Sequence, residues 1–317
     1  MASRAAWSAS TAGSARPFAG QAPAHDDVDE VTRYERVTCD VAGGRLCYWV
    51  HRASSPQLPW VVLLPGLTAD HTLFAGQLEP LARRWNVIVW DAPAHGASRP
   101  FELRFSMDDC VRLLHRILRD EGAGRPTIVG QSLGGYVAQA YMQRYPGRTA
   151  GFVSIDSAPL QRRYLRGWEI WALRHMRSVY LGIPWWLLRR WGERGTARTE
   201  AGRANMRAMM ARYDRREYCE LAAHGYRMLA DAVERDLPYV IDCPALLLCG
   251  ERDEAGSTRR LNRAWHAATG IRLVWVPAAG HNSCADAPAF VSDAIERFVQ
   301  DVVTRDGASV EKVTGRE

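Results

Sequence analysis

Residues 127–145 read TIVGQSLGGYVAQAYMQRY. The first three read as a strand, 133–145 has helical spacing, and Gly130-Gln131-Ser132-Leu133-Gly134 joins the two. A G-x-S-x-G pentapeptide says little by itself, but between a strand and a helix it acquires a physical reason. So sharp a turn strains its serine and needs small residues two positions to either side, here both glycine. It lifts Oγ clear of the sheet and sets the next backbone N–H at the tip of a helix, where developing negative charge is stabilised. Ser132 is therefore the candidate nucleophile, and the N–H of Leu133 the first candidate oxyanion donor.

Outward from this turn, strand-like and helix-like segments alternate. Residues 34–41 and 45–51 flank Gly43-Gly44 as a hairpin. Strands follow at 60–64, 86–90, 127–129 and 151–155, with helical spacing at 73–85, 106–121 and 133–145. The alternation resumes with strands at 245–249 and 271–276 and helices at 257–269 and 287–303. This predicts an α/β fold: a mostly parallel twisted sheet of about eight strands, helices on both faces, and the hairpin as antiparallel edge. Residues 157–237 interrupt the pattern with helices alone, so a helical lid is expected after the sixth strand. The expected core is then 31–156 together with 238–304, between a flexible tail 1–30 and a loose tail 305–317.

Ligands of such sheets bind where the strands end in their carboxyl direction, so partners for Ser132 are sought just after strands. A serine hydroxyl needs a base, and His281 follows the last strand through Pro277-Ala-Ala-Gly280. The base needs an orienting carboxylate. Asp253, after the strand 245–249, is favoured. Asp156, after 151–155, is the alternative, its other role being to cap the chain leaving the sheet. Glu251 lies too near a strand end and is read as a local pair. A second oxyanion donor is expected from Pro65-Gly66-Leu67-Thr68, with the N–H of Leu67 as candidate and Thr68 either a hydroxyl in the pocket or a plain loop residue.

The order Ser132, Asp253, His281, with a helical insertion between the sixth and seventh strands, resembles the α/β-hydrolase superfamily, in its lidded esterase, lipase and aminopeptidase-like branch. Asp91-Ala-Pro-Ala-His-Gly-Ala-Ser98 is similar to the family's D-x-x-G-H-G-x-S turn, with His95 read as structural. The resemblance covers about 31–303. Two departures stand out: Pro65-Gly66 replaces the usual His-Gly, and Ala94 replaces a common glycine. Ser132, where epoxide hydrolases and haloalkane dehalogenases carry aspartate, argues against both. The resemblance implies a serine hydrolase cleaving an ester-like bond of a small or medium acyl substrate through an acyl-enzyme, without cofactor. Two alternatives stay open. One is a prolyl aminopeptidase-like amidase, which would need an acidic anchor for an α-amine. The other is a non-catalytic member that only binds a ligand.

Composition sets the outer limits. At 317 residues, 47% hydrophobic and 24% charged, the chain is long enough to bury a core without staples. No apolar run approaches the ~18 residues that cross a bilayer, and the sequence argues against membrane association. The net charge of +6 is almost all arginine, Lys312 being the only lysine. No zinc-finger, RNP or basic-region pattern accompanies it, so nucleic acid is not an expected partner. Seven scattered cysteines without a CxxC suit buried thiols and a cytoplasmic setting. No metal-ligand spacing and no GxGxxG or Walker loop is present. The segment 157–237 holds five of the twelve tryptophans, of which Trp168, Trp171, Trp185 and Trp186 are taken as pocket candidates. Trp168, Trp171, His175, Met176 and Val179, and separately Met206, Met209, Met210 and Tyr213, form stripes best read as helix–helix core. Its arginines, among them Arg162, Arg163, Arg174, Arg177, Arg189 and Arg190, are read as a solvated face, the alternative being a ring that selects acidic substrates. Solvent-facing Trp185 and Trp186 would bear instead on a lipid surface.

Overall fold

The computed structural model describes residues 33–314. The expected tail at 1–30 lies outside them. Eight strands form one sheet: β1 (Glu35–Val41), β2 (Gly44–His51), β3 (Trp60–Leu64), β4 (Asn86–Asp91), β5 (Thr127–Gln131), β6 (Gly151–Ile155), β7 (Ala245–Gly250) and β8 (Arg272–Val276). Their spatial order is β1-β2-β4-β3-β5-β6-β7-β8. The pairs β1–β2 and β2–β4 are antiparallel and all later pairs parallel. Every residue of β4, β5 and β6 is buried, as a sheet covered on both faces requires.

Crossover helices α1 (Ala75–Ala82), α2 (Met107–Asp120), α3 (Leu133–Arg144) and α8 (Thr258–Thr269), with the last helix α10 (Pro288–Thr314), supply that cover, and α9 (Ser283–Asp286) is a single turn. The boundaries follow local chemistry. Ser106 and Asp109 close a reciprocal cap at the start of α2, and Gly270 ends α8 in the left-handed conformation. The helix expected over 73–85 divides in two. Asp70 caps a 3₁₀ turn at His71–Phe74, and α1 follows as a separate short helix. The last helix runs beyond its expected end at 303 to Thr314, so the stretch read as a loose tail is helical backbone through 314.

Between β6 and β7 the chain makes four helices: α4 (Gly167–Gly182), α5 (Trp185–Thr196), α6 (Glu200–Ala211) and α7 (Arg215–Glu234). Met206, Met209, Met210 and Tyr213 are buried there as their spacing predicts. The other stripe is a correction. Trp168, Trp171 and Val179 face solvent, because α4 packs on α7 through its opposite side.

Candidate functional site

The turn after β5 holds Ser132 at φ 47°, ψ −114°, a strained backbone for any residue but glycine. Its N–H donates to the Ile155 carbonyl at 2.9 Å, and its own carbonyl accepts from the Ser157 hydroxyl at 2.7 Å. A Cβ on Gly134 would stand 2.0 Å from the Leu64 carbonyl oxygen, so the tip of α3 lies directly against the end of β3. A Cβ on Gly66 would stand 3.1 Å from Cβ of Ser132. The loop carrying Leu67 therefore closes on the serine from the β3 side, while Leu133 opens α3 with an N–H that has no acceptor within its own helix.

His281 joins the ends of two other strands to this turn. Its Nδ1 lies 2.9 Å from Asp253 Oδ2, and its Nε2 lies 3.0 Å from Ser132 Oγ. The remaining Asp253 oxygen accepts from the Ala255 N–H at 2.8 Å. Burial alone would lower the histidine's pKa. The charge and hydrogen bond of Asp253 outweigh it, with Asp156 adding to them, and bring the imidazole up to about 9. An imidazole so held can take a hydroxyl proton on one side while the carboxylate stabilises its charge on the other.

The alternative carboxylate, Asp156, does not reach the imidazole nitrogen. It accepts from the Gly250 N–H at 2.8 Å and from the N–H and hydroxyl of Ser283 at 3.0 and 2.9 Å. Burial and the nearby Asp253 charge push its carboxyl up to about 7, against the lowering effect of His281 and its donors. Asp156, Cys249 and Asp253 lie within 4.8 Å of one another. Both carboxylates are already committed to protein donors, and burial pushes the thiol far up, so the cluster is a poor metal cradle. Glu251 accepts from the Ala278 N–H at 3.0 Å, a bond to the loop before His281 rather than the local pair expected of it. The ring of His95 donates from Nδ1 to the Pro93 carbonyl at 2.9 Å.

A cavity of about 270 Å³ opens over Ser132 and His281. Its walls are mainly apolar, with Leu67, Met176, Ile183, Leu188, Trp191 and Met206 prominent. Thr68 lines it, but its hydroxyl donates to the Leu67 carbonyl at 2.7 Å. The expected tryptophans do not line it. Trp168, Trp171 and Trp186 point to solvent, and Trp185 packs on Tyr218 at 5.4 Å between ring centres. Among the described residues no arginine and no carboxylate lines the cavity. Arg174 pairs instead with Asp231 and Glu234, and Arg177 with Glu220. Sequence reasoning missed Gln131, whose side-chain amide donates to the His281 carbonyl at 2.7 Å from within the G-x-S-x-G turn. It also missed Asp286, which accepts from the N–H groups of Gly280, Arg198 and Thr199 at 2.8 to 2.9 Å. The variable position of the pentapeptide was a signal for the first; nothing in the sequence marked the second.

The chain is 30% identical over 214 residues to a pimeloyl-acyl-carrier-protein methyl ester esterase of Chromobacterium violaceum, covering 62% of this chain and 77% of that protein. A protein of the same name from Xanthomonas axonopodis pv. citri is 25% identical over 258 residues, covering 77% and 96%. A thermophilic esterase from Thermogutta terrifontis shares the fold, with a TM-score of 0.69, 22% identity, and coverage of 84% of this chain and 99% of that one. The model of the alpha/beta hydrolase fold matches residues 59–288, and the chain accordingly belongs to that family.

Proposed function

We propose that the protein is a serine hydrolase that cleaves a carboxylic ester of an acyl substrate by way of an acyl-enzyme. The observation that carries this reading is His281 within hydrogen-bond reach of Ser132 on one side and Asp253 on the other. Oγ of Ser132 attacks the ester carbonyl carbon as His281 Nε2 takes its proton. The N–H groups of Leu67 and Leu133 hold the resulting oxyanion. As the intermediate collapses, the C–O bond to the alcohol breaks and His281 returns the proton to the leaving oxygen. Water then enters, His281 takes its proton, and the acid is released with Ser132 restored.

The names of the curated relatives suggest a small leaving group such as methanol on a longer acyl chain. The apolar walls and modest volume of the cavity favour the same kind of substrate. The absence of a lining carboxylate among the described residues weighs against an anchor for an α-amine, and so against the aminopeptidase reading. Residues 157–237 act in this reading as the lid roofing the acyl chain, and their arginines as a solvated face. A fluorophosphonate probe should label Ser132, and Ser132→Ala should lower kcat/KM on p-nitrophenyl acyl esters by about 10⁴-fold or more. An unlabelled wild type, or an alanine variant with wild-type turnover, would overturn the assignment. A panel of esters, thioesters and aminoacyl amides ranks the leaving groups.

A further inference from the structure

Seven large apolar side chains stand exposed among the described residues, and five of them are on α4 and α5. Trp168, Trp171 and Val179 are 62%, 63% and 49% exposed, and Trp186 and Trp191 are 69% and 54% exposed. Spacings of three and eleven residues put the α4 members on one face of that helix. On α5 the two tryptophans share the solvent side with Arg190 and Arg194, which are likewise exposed. Val179 and Trp191 also line the cavity over Ser132, so the apolar strip reaches the cavity mouth.

The charge on this face has one sign. Residues 167–196 carry five arginines against Glu169 and Glu193. Glu169 is buried and bonded to Arg260, and Glu193 is taken by Arg207. Arg174 and Arg177 are neutralised by α7. Arg189, Arg190 and Arg194 have no carboxylate partner among the described residues. Indole rings gain most where one edge is apolar and the other wet, and arginines near an anionic bilayer are drawn to its phosphates. A second copy of the chain would instead bring these arginines against each other.

We propose that the outer face of α4 and α5 docks on an anionic lipid surface, with the cavity mouth turned toward the bilayer. Trp168, Trp171 and Trp186 enter the headgroup layer and Arg190 and Arg194 meet lipid phosphates. An acyl chain leaving the bilayer then meets the rim formed by Val179 and Trp191. No spanning segment is involved, and no described helix is long and apolar enough to cross a membrane.

The full-length protein is co-sedimented with vesicles of phosphatidylcholine alone or mixed with phosphatidylglycerol, at low and high salt. The expected result is binding to the mixed vesicles, weakened by salt, with a blue shift of tryptophan emission. A triple variant W168Q/W171Q/W186Q should lose at least about tenfold in vesicle affinity. R190Q/R194Q should lose affinity and show a flatter salt dependence. Both should hydrolyse a water-soluble short-chain ester at the wild-type rate. Binding is read without turnover, so it stands or falls apart from ester hydrolysis. Wild-type protein left in the supernatant, variants binding like wild type, or sedimentation showing a dimer that the triple variant dissociates would each overturn the proposal.

Discussion

Two buried carboxylates bear on His281, and only Asp253 touches it. Asp156 sits behind, faced by Asp253 and Cys249 from the β7 side and by His281, Ser283 and Cys284 from the β8 side. The base must be neutral in the free enzyme, so kcat/KM should rise with pH as His281 loses its proton. Both carboxylates raise that histidine, toward about 9, so the limb should lie above the ordinary imidazole range. Asp156→Asn removes one negative charge without touching the 2.9 Å bond of Asp253 to His281. The limb of its pH–rate profile should then move to lower pH, each unit corresponding to about 1.4 kcal/mol of charge interaction. An unmoved limb would leave Asp156 as a cap on the strand end and no more. Which acid meets the histidine was only partly legible in the sequence, because Asp156 and Asp253 both stand just past a strand between Ser132 and His281 in chain order. Which tryptophan meets the cavity was not legible, because it depends on how α4 leans on α7 and α5 on α6.

At the scale of elements, the contact between the end of β3 and the tip of α3 fixes where the serine stands. Gly134→Ala would drive a methyl against the Leu64 carbonyl, 2.0 Å away, and backbone cannot yield as a side chain can. The variant should lose about 1–3 kcal/mol of stability and most of its hydrolytic rate, measured by denaturant unfolding and ester turnover. Gly124→Ala provides the contrast. A Cβ there meets nothing within 4 Å, and the backbone does not need a positive φ. It should be neutral or stabilising by about 0.4–1 kcal/mol. Equal effects at the two positions would remove the packing argument. Strands β3 and β6 match their sequence reading to the residue, since each is a short run rich in apolar residues. The helix expected at 73–85 does not, because the Asp70 cap makes a tighter turn before α1, and periodicity alone does not separate the two.

Across the whole molecule, the helices between β6 and β7 are tied to the loop of His281 around the junction of α5 and α6. The link between α5 and α6 accepts from the Asn282 N–H through the Thr196 carbonyl at 2.8 Å, one residue past His281. Asp286 binds the N–H groups of Arg198 and Thr199 and, with the same carboxylate, the N–H of Gly280. Arg198 reaches the Arg252 carbonyl at 2.8 Å, beside Asp253. The α5–α6 junction and the loops holding the base and its carboxylate are thus one hydrogen-bonded unit. Asp286→Ala leaves three backbone donors without their acceptor, at about 1–3 kcal/mol for each that stays buried. It should lower Tm and also lower kcat more than a surface substitution such as Arg45→Ala. Amide hydrogen exchange should rise together at 196–199 and at 278–283 while β4 stays protected. If exchange rises only in the α5–α6 link and kcat is unchanged, the two regions move independently, and the histidine is positioned by the sheet alone.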